Sequence, residues 1–176
     1  ELLELNLLKE IGYSETDIGK KPMLVDFNRD YQYVLALDFI SFYTKNMVSL
    51  ALCNLYCETI FQEIIDLGED FSKETMYNVF PKQLRKILEK NEINTEHIGI
   101  FVLTAPTAIY DNEHLRFQCG NGDIINLAEV FLNNFNNKIV VKNDINLAAL
   151  GEKYFGVGKE ADNLMFVWAG VAVGGG

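Results

Sequence analysis

The chain has 176 residues and a mass of 20.0 kDa, with 49% apolar residues and a formal net charge of −10 at pH 7. This composition is sufficient for a buried core and excludes a disordered chain, and no apolar run reaches the ~18 residues of a membrane span. Phosphate contacts need clustered Lys and Arg, so this piece by itself is predicted to bind nucleic acid poorly. The sequence starts at Glu1 without a signal peptide, and we expect an excised part of a longer protein.

The first thirty residues predict the tail of a helix followed by a hairpin. Leucines in residues 1–10 fit a helix end that runs into a short strand. Residues 11–19 are largely polar, with glycines near both ends, and indicate a hairpin tip. Residues 23–27 predict the returning strand, and residues 28–30 predict a turn.

Three strands without intervening helices are predicted next, which favours an antiparallel meander over residues 33–39, 46–52 and 58–65. The hydrophobic period then changes and predicts a helix over residues 76–88, which Pro81 is expected to kink or restart.

The second half alternates strands with helices. Strands are predicted over residues 98–103, 139–141 and 164–168, helices over 127–135 and 143–155, and a long loop over 104–123. This order is typical of an α/β fold in which helices cover a largely parallel part of a mixed sheet. The sequence stops in a glycine-rich turn, so we expect a truncation there.

The three cysteines, Cys53, Cys57 and Cys119, are expected to be reduced thiols in or near the core. Without a secretory signal the cytoplasm is the expected compartment, and thiols stay reduced there. The two histidines, His97 and His114, are far from the first two cysteines, so no metal site is expected.

Asp38, near the end of a predicted strand, is the first candidate for chemistry. Ligands of open α/β sheets gather at the carboxyl ends of strands, where a carboxylate can hold a metal-bound phosphate. A phosphate loop needs small glycines, yet the residues that follow are mostly bulky, Phe39 to Tyr43. The simpler interpretation is a strand-end acid that caps a turn.

Asn143 and Asp144 begin a predicted helix, and two interpretations stay open. Either residue can cap the helix by accepting a hydrogen bond from a backbone N–H. Alternatively, Asp144 can accept a proton from a sugar hydroxyl, while Asn143 offers a donor and an acceptor to the same ligand.

Two further features are weaker. Gly170, Gly174 and Gly176 permit close backbone approach, which suits either a nucleotide loop or a tight connection. Lys20 and Lys21 lie by the hairpin tip, where they either touch a phosphate backbone or belong to a solvated loop.

Taken in order, these segments resemble the ROK family of repressors, open reading frames and kinases, and most closely its xylose-repressor-type regulators. The motif is Asn-Asp-x-Asn-x-Ala-Ala-x-Gly-Glu over residues 143–152, followed by residues 153–158 and 161–164. Thr104, Ala105 and Pro106 stand where the family has a small-residue Pro-Gly turn beside the sugar. The resemblance covers essentially the whole chain.

The resemblance implies an actin-like, ribonuclease-H-like ATPase domain over residues 31–176, truncated at its C-terminal end. Residues 1–30 would be the last helix and the wing of a winged helix-turn-helix, with Lys20 and Lys21 as DNA-contacting wing residues. The recognition helix, the zinc motif and most of a second actin-like domain would lie outside the chain. No metal or cofactor is therefore expected in this piece.

The resemblance also assigns sugar-binding roles to Asn143, Asp144, Pro106 and Thr107. By contrast, Ile40, Ser41 and Phe42 stand where the family's kinases have Gly-Gly-Thr, and Ala172 and Thr107 replace expected glycines. The phosphate loops therefore look degenerate, and their candidate residues are Asp38, Ser41, Gly170, Gly174 and Gly176.

The function implied is a sugar-responsive transcriptional repressor in the cytoplasm. Its partners would be a monosaccharide or sugar phosphate effector, DNA through the full-length winged helix, and further copies in a homodimer or higher oligomer, with no membrane. The alternative is a sugar kinase, with Asp144 as general base and Asp38 near the metal; in the repressor no catalytic residue is expected. A third alternative is a regulator whose ligand response has been lost.

Overall fold

The computed structural model of the protein describes residues 1–15, 19, 21–42, 45–68, 71–105, 116–118, 123–170 and 173–176. Its centre is a mixed sheet of five strands, which confirms the predicted α/β class. Within these ranges no helix is both long and apolar enough to cross a membrane.

Strands outnumber helices in the described part of the chain. The strands are β1 (Leu8–Tyr13), β2 (Met23–Phe27), β3 (Tyr33–Phe42), β4 (Lys45–Cys53), β5 (Thr59–Asp66), β6 (Ile98–Ala105), β7 (Arg116–Gln118), β8 (Ile124–Asn126), β9 (Lys138–Asn143), β10 (Val167–Ala169) and β11 (Val173–Gly175). The α-helices are α1 (Phe80–Lys90), α2 (Leu127–Leu132) and α3 (Asp144–Tyr154), with a π-helical turn over Thr75–Val79 and a 3₁₀ turn over Thr95–His97.

A turn with the hydrogen bonds of a helix end precedes β1. The amide of Leu7 donates to the carbonyl of Leu2, and the amide of Asn6 donates to that of Leu3, both at 3.0 Å. Asn6 has φ +58°, so the pattern is the left-handed one that ends many α-helices. These bonds agree with the predicted helix tail at its end, and β1 begins directly after it.

Strands β1 and β2 form the predicted antiparallel hairpin, but its tip is shorter than expected. β1 continues through Tyr13, which pairs with Met23, so residues 11–13 belong to the strand and not to the tip. A β-bulge between Glu10 and Gly12 accommodates this pairing, and Gly12 has the positive φ of +115° that favours glycine.

The central sheet has the strand order β5-β4-β3-β6-β9. β3, β4 and β5 pair antiparallel, which confirms the predicted meander, and β6 and β9 add to β3 in parallel. Because parallel neighbours run the same way, the carboxyl ends of β3, β6 and β9 meet at one edge of the sheet. That edge is where ligands of open α/β sheets bind.

Pro81 restarts the helix as predicted. A π-helical turn ends at Val79, and α1 then begins at Phe80 with Pro81 in its first turn. Proline is tolerated at this place because the first amides of a helix have no intrahelical acceptor.

Helices α1 and α2 cover the face of the sheet that bears Leu37 and Phe39. Side chains alternate along a strand, so Asp38 of β3 points to the opposite face. Phe131 of α2 is fully buried at the centre of an aromatic cluster. Its ring centroid lies 5.4 to 6.4 Å from those of Phe39, Phe80, Phe101 and Phe135. This packing fixes β3, β6 and both helices relative to one another.

The prediction of one long loop over residues 104–123 was wrong at its start and within the segment. β6 runs through Ala105, and β7 pairs antiparallel with β8 over three residues. Such short strands carry no hydrophobic period, so a sequence pattern does not reveal them. The predicted helix that follows also ends earlier, at Leu132.

The predicted last strand and the glycine-rich turn after it were also partly wrong. The strand begins at Val167 and not at residue 164, and Val173–Gly175 is itself a strand paired with it. Phe166 and Gly176 exchange two backbone hydrogen bonds of 2.9 Å beside this pair. Two glycines thus lie in extended pairing, which the sequence interpretation as a turn missed.

Candidate functional site

Asp38, Thr104 and Lys142 form one row near the end of the parallel pairing of β3, β6 and β9. β3 itself runs on to Phe42, paired only with β4, so the interpretation of Asp38 as a strand-end acid that caps a turn was wrong. Asp38 of β3 is the register partner of Thr104 of β6, which in turn pairs with Lys142 of β9. Register partners in parallel strands place their side chains on the same face. The row therefore lies on the face opposite α1 and α2, at the edge where the fold gathers ligands.

Asn143 and Asp144 directly follow Lys142 in the chain and begin α3. The side chain of Asn143 is the N-cap, since its Oδ1 accepts a 3.1 Å hydrogen bond from the amide of Asn146. Asp144 Oδ1 accepts a 2.8 Å bond from the amide of Ile145. The structure thus confirms that Asn143 caps the helix. The alternative, that Asn143 and Asp144 bind a sugar, stays a prediction.

The electrostatics bring Asp38 and Asp144 into one site. Partial burial raises the pKa of Asp38 to about 6, and the negative charge of Asp144 acts on that pKa in the same direction. Both side chains are half-buried. Two residues 106 positions apart in the sequence therefore share an electrostatic environment, with one carboxyl group that titrates close to neutrality.

Thr104 is a member of this row that the sequence analysis named only as part of the turn beside the sugar and not as a candidate site residue. Its side chain is 7% exposed, and its Oγ1 has no hydrogen-bond partner within the described ranges. A buried hydroxyl without a partner is unfavourable, which is why such groups mark functional or strained positions. The sequence does place Thr104 near the end of a predicted strand. It does not show that Thr104 lies level with Asp38, because strand register is set only in the folded sheet.

Two of the candidate glycines pack against the first turn of α3. A Cβ added to Gly176 would lie 2.7 Å from the carbonyl oxygen of Ile145, and one added to Gly174 would lie 2.0 Å from Ile145 Cδ1. Only a residue without a side chain allows β11 to approach the helix this closely. Gly170 lies elsewhere, beside the indole of Trp168.

Several predicted site residues fall outside the described ranges. Pro106, Thr107 and Lys20 are among them, and the side chain of Ser41 is not described although its backbone pairs with Asn46. Lys21 is exposed next to β2.

The cysteines agree only in part with the prediction. Cys53 and Cys57 are free thiols; Cys53 is half-buried, but Cys57 is exposed, in a turn with φ +61°. The expected position in or near the core was therefore wrong for Cys57, which lies in the exposed turn between β4 and β5. Cys119 lies outside the described ranges. No group of three or more His, Cys, Asp or Glu in the described part of the chain is arranged to hold a metal ion.

A comparison with known sequences relates the chain to a family of regulators and kinases. The model of the ROK family matches residues 48–176. The Xylose repressor of Caldicellulosiruptor bescii is 26% identical over the whole chain, and that of Bacillus spizizenii is 24% identical over 98% of it. The chain spans 44% of the length of each.

Solved structures share the fold. A ROK family transcriptional regulator, a homolog of the E. coli MLC protein, has a TM-score of 0.73 at 17% identity, over 99% of this chain and 44% of that one. A ROK hexokinase from Thermus thermophilus has a TM-score of 0.59 at 14% identity, over 82% of this chain and 45% of that one. The predicted actin-like fold is therefore confirmed, while identities this low carry no assignment of activity.

Proposed function

Because the chain belongs to the ROK family, we propose that it is the sugar-binding part of a sugar-responsive transcriptional repressor. The observation that carries the proposal is the shared environment of Asp38 and Asp144 at the carboxyl edge of the parallel strands, beside Asn143. The relatives that match over nearly the whole chain are named xylose repressors, which makes D-xylose the first effector to test.

The chemistry of the site suits a polyhydroxy ligand. Each sugar hydroxyl donates one hydrogen bond and accepts others, and a carboxyl group such as that of Asp144 can accept hydrogen bonds from two or more hydroxyls. Asn143 can donate through its amide while its carbonyl oxygen caps α3. Asp38 adds a donor when it is protonated, and we propose that Pro106 and Thr107 complete the contacts.

The proposed response is a shift between conformations of the whole repressor. A sugar bound at this edge changes DNA binding only as far as it binds one conformation more tightly than the other. We propose that the β1–β2 hairpin is the wing of a winged helix, in which Lys20 and Lys21 contact the DNA backbone. The active species would be a cytoplasmic homodimer or higher oligomer, without a metal or cofactor in this part of the chain.

A sugar kinase is the second candidate, and the pairing of Asp38 with Asp144 also supports it. In a kinase Asp144 would take the proton of the attacking sugar hydroxyl, and Asp38 would hold the metal of a metal–nucleotide complex. Ile40 and Phe42 argue against it, because they replace the small residues that let backbone amides reach a phosphate. If the protein is a repressor, four residues would be remnants of phosphate loops: Ser41, Gly170, Gly174 and Gly176.

The proposal is tested by thermal unfolding of the full-length protein with D-xylose, D-glucose, their phosphates and Mg-ATP. A ligand at 100 times its Kd stabilises the folded state by about 2.7 kcal/mol. We expect a sugar to stabilise, Mg-ATP not to do so, and Asp144→Asn to remove the sugar effect while the exposed Asp162→Asn retains it. Stabilisation by Mg-ATP with sugar-dependent turnover would establish the kinase. No response to any sugar would indicate a regulator whose ligand response has been lost.

A further inference from the structure

The β4–β5 turn, residues 54–58, contacts the base of the β1–β2 hairpin through its aromatic side chain. The ring of Tyr56 stacks on that of Phe27 with an interplanar angle of 11° and a centroid distance of 6.2 Å. Tyr56 Oη donates a 3.1 Å hydrogen bond to Asp26 Oδ1. The last two residues of β2 are thus held by one side chain of the turn that joins two strands of the central sheet. We call the contact between residues 54–58 and residues 26–29 the hairpin clamp.

The segment between the hairpin and β3 joins the same region. The guanidinium of Arg29 lies 5.2 Å from the centre of the Tyr56 ring and donates to both carboxylate oxygens of Glu58, at 2.8 and 2.9 Å. The amide of Leu55 donates a 2.9 Å bond to the carbonyl of Arg29. Each of these exposed interactions contributes little to the free energy of unfolding. Together they fix the position of Arg29 relative to the β4–β5 turn.

Asparagines shape both sides of the hairpin clamp. Asn54, which is 2% exposed, accepts hydrogen bonds from the amides of Tyr56 and Glu58, and its Nδ2 donates to Glu58 Oε2 at 2.7 Å. Asn28, also 2% exposed, donates to the carbonyl of Asn6 at 2.8 Å. The bonds of Asn54 lie within its own turn and fix that turn in one conformation. The bond of Asn28 joins the segment after β2 to the turn before β1. Both partners of the contact are therefore preorganised.

Residues 26–29 of the hairpin clamp precede the first residue of β3, and the candidate sugar site includes Asp38 in the middle of the same strand. β3 begins at Tyr33, four residues after Arg29, and it carries Asp38 five residues later, which is about 17 Å along an extended strand. β3 is the central strand of the sheet, with a pairing partner on each side. A movement at Asp38 thus reaches the hairpin base through a rigid element.

From these contacts we infer that the hairpin and the five-stranded sheet move as one rigid body, with Tyr56 as the positioning residue that removes a hinge at residues 28–32. An effector then reorients the hairpin only by moving the whole sheet. This regulatory consequence rests on the proposed function, whereas the rigid attachment itself does not.

The attachment is tested by the distance between two spin labels on the full-length protein. The labels replace exposed Glu10 on β1 and Gln62 on β5, after Cys53→Ser, Cys119→Ser and Cys57→Asn, since asparagine tolerates the positive φ at residue 57. We expect one narrow distance distribution, unchanged by saturating D-xylose. Tyr56→Ala should widen the distance distribution about twofold or more. Tyr56→Phe, which retains the stacked ring, should widen the distribution less. Tyr13→Ala, an exposed tyrosine of the same hairpin, is the matched control and should leave it narrow.

A broad or two-peaked distribution in the parent protein, or a narrow one in Tyr56→Ala, would overturn the inference. In a second arm, Tyr56→Ala should keep its thermal response to D-xylose but lose most of the effector-induced fold-change in operator affinity. An unchanged fold-change would refute the regulatory part. If the parent protein responds to no sugar, the proposed function fails, while the label distances still decide the attachment.

Discussion

Asp38 and Asp144 lie close enough that the charge of Asp144 helps to raise the pKa of Asp38 to about 6. They come from different elements, the strand β3 and the first residue of α3, and the parallel arrangement of β3, β6 and β9 brings them together where the β3–β6 pairing ends. The first prediction follows from this relationship.

Asp38 should make stability depend on pH. The unfolded carboxyl group titrates near 3.9 and the folded one near 6, so between these values the folded state binds more protons. The free energy of unfolding therefore falls as pH rises from about 4 to about 6. The total loss is on the order of 2 kcal/mol, because solvent screens a half-buried group and reduces the effect of the full shift. Asp38→Asn should remove this slope and stabilise the protein at pH 8.

Urea unfolding of the full-length protein at pH 4.5, 6 and 8 measures this effect. Asp162→Asn is the matched control, because it removes an exposed carboxylate and should leave the slope in place. A slope that persists in Asp38→Asn would assign it to another group.

Thr104→Val should stabilise the protein. Valine has nearly the same shape and removes a buried hydroxyl that has no hydrogen-bond partner within the described ranges. The expected gain is about 1 kcal/mol, whereas Thr104→Ser keeps the hydroxyl and should lose a little stability through its missing methyl group. Urea midpoints at constant m-value compare the two, and a destabilised valine variant would show that the hydroxyl is satisfied in solution.

Substitutions at Asn143 should separate capping from ligand binding. Asn143→Ala removes the N-cap and should cost about 1 kcal/mol, while Asn143→Ser retains a capping oxygen and most of the stability. If the amide also contacts the sugar, both variants should bind D-xylose about tenfold more weakly, as a lost hydrogen bond of roughly 1.4 kcal/mol requires. Calorimetric titration alongside unfolding decides this, and wild-type affinity in the serine variant would show that the amide of Asn143 does not contact the sugar.

Alanine should be tolerated unequally at Gly174, which lies in β11, and at Gly176, which follows that strand. At Gly176 the new Cβ meets the backbone of Ile145 and Asn146, so Gly176→Ala should cost about 1–3 kcal/mol. At Gly174 the obstacle is Ile145 Cδ1, which Ile145→Val removes, so this second change should rescue Gly174→Ala in part.

Gly151→Ala is the control for this series. Residue 151 lies in α3, and a Cβ added there would meet no neighbouring residue within 4 Å. Alanine should therefore raise the free energy of unfolding by about 0.5–1 kcal/mol. Thermal unfolding ranks all variants, and equal losses at Gly174 and Gly176 would contradict the packing of β11 on α3.

Local patterns predicted most of the elements and the motif at Asn143 and Asp144. The meander, the restart at Pro81 and the helix from Asp144 all follow from hydrophobic period, proline chemistry and capping preference, which act over a few residues. The short strands at Arg116–Gln118 and Val173–Gly175 were missed, because pairing with a partner strand forms them and no local pattern marks them.

The sequence by itself determined that Asp38 lies in a strand, that Asn143 begins a helix, and that the alternation of strands and helices builds an α/β fold. The expected position of Asp38 at the end of its strand was wrong, because pairing with β4 extends β3 to Phe42. Only the tertiary structure decided that Thr104 lies level with Asp38, that Asp144 shares its environment, and that Tyr56 holds the hairpin. The physical reason is that strand register, burial and charge proximity depend on residues that are distant in the chain. These contacts exist only after the sheet has formed.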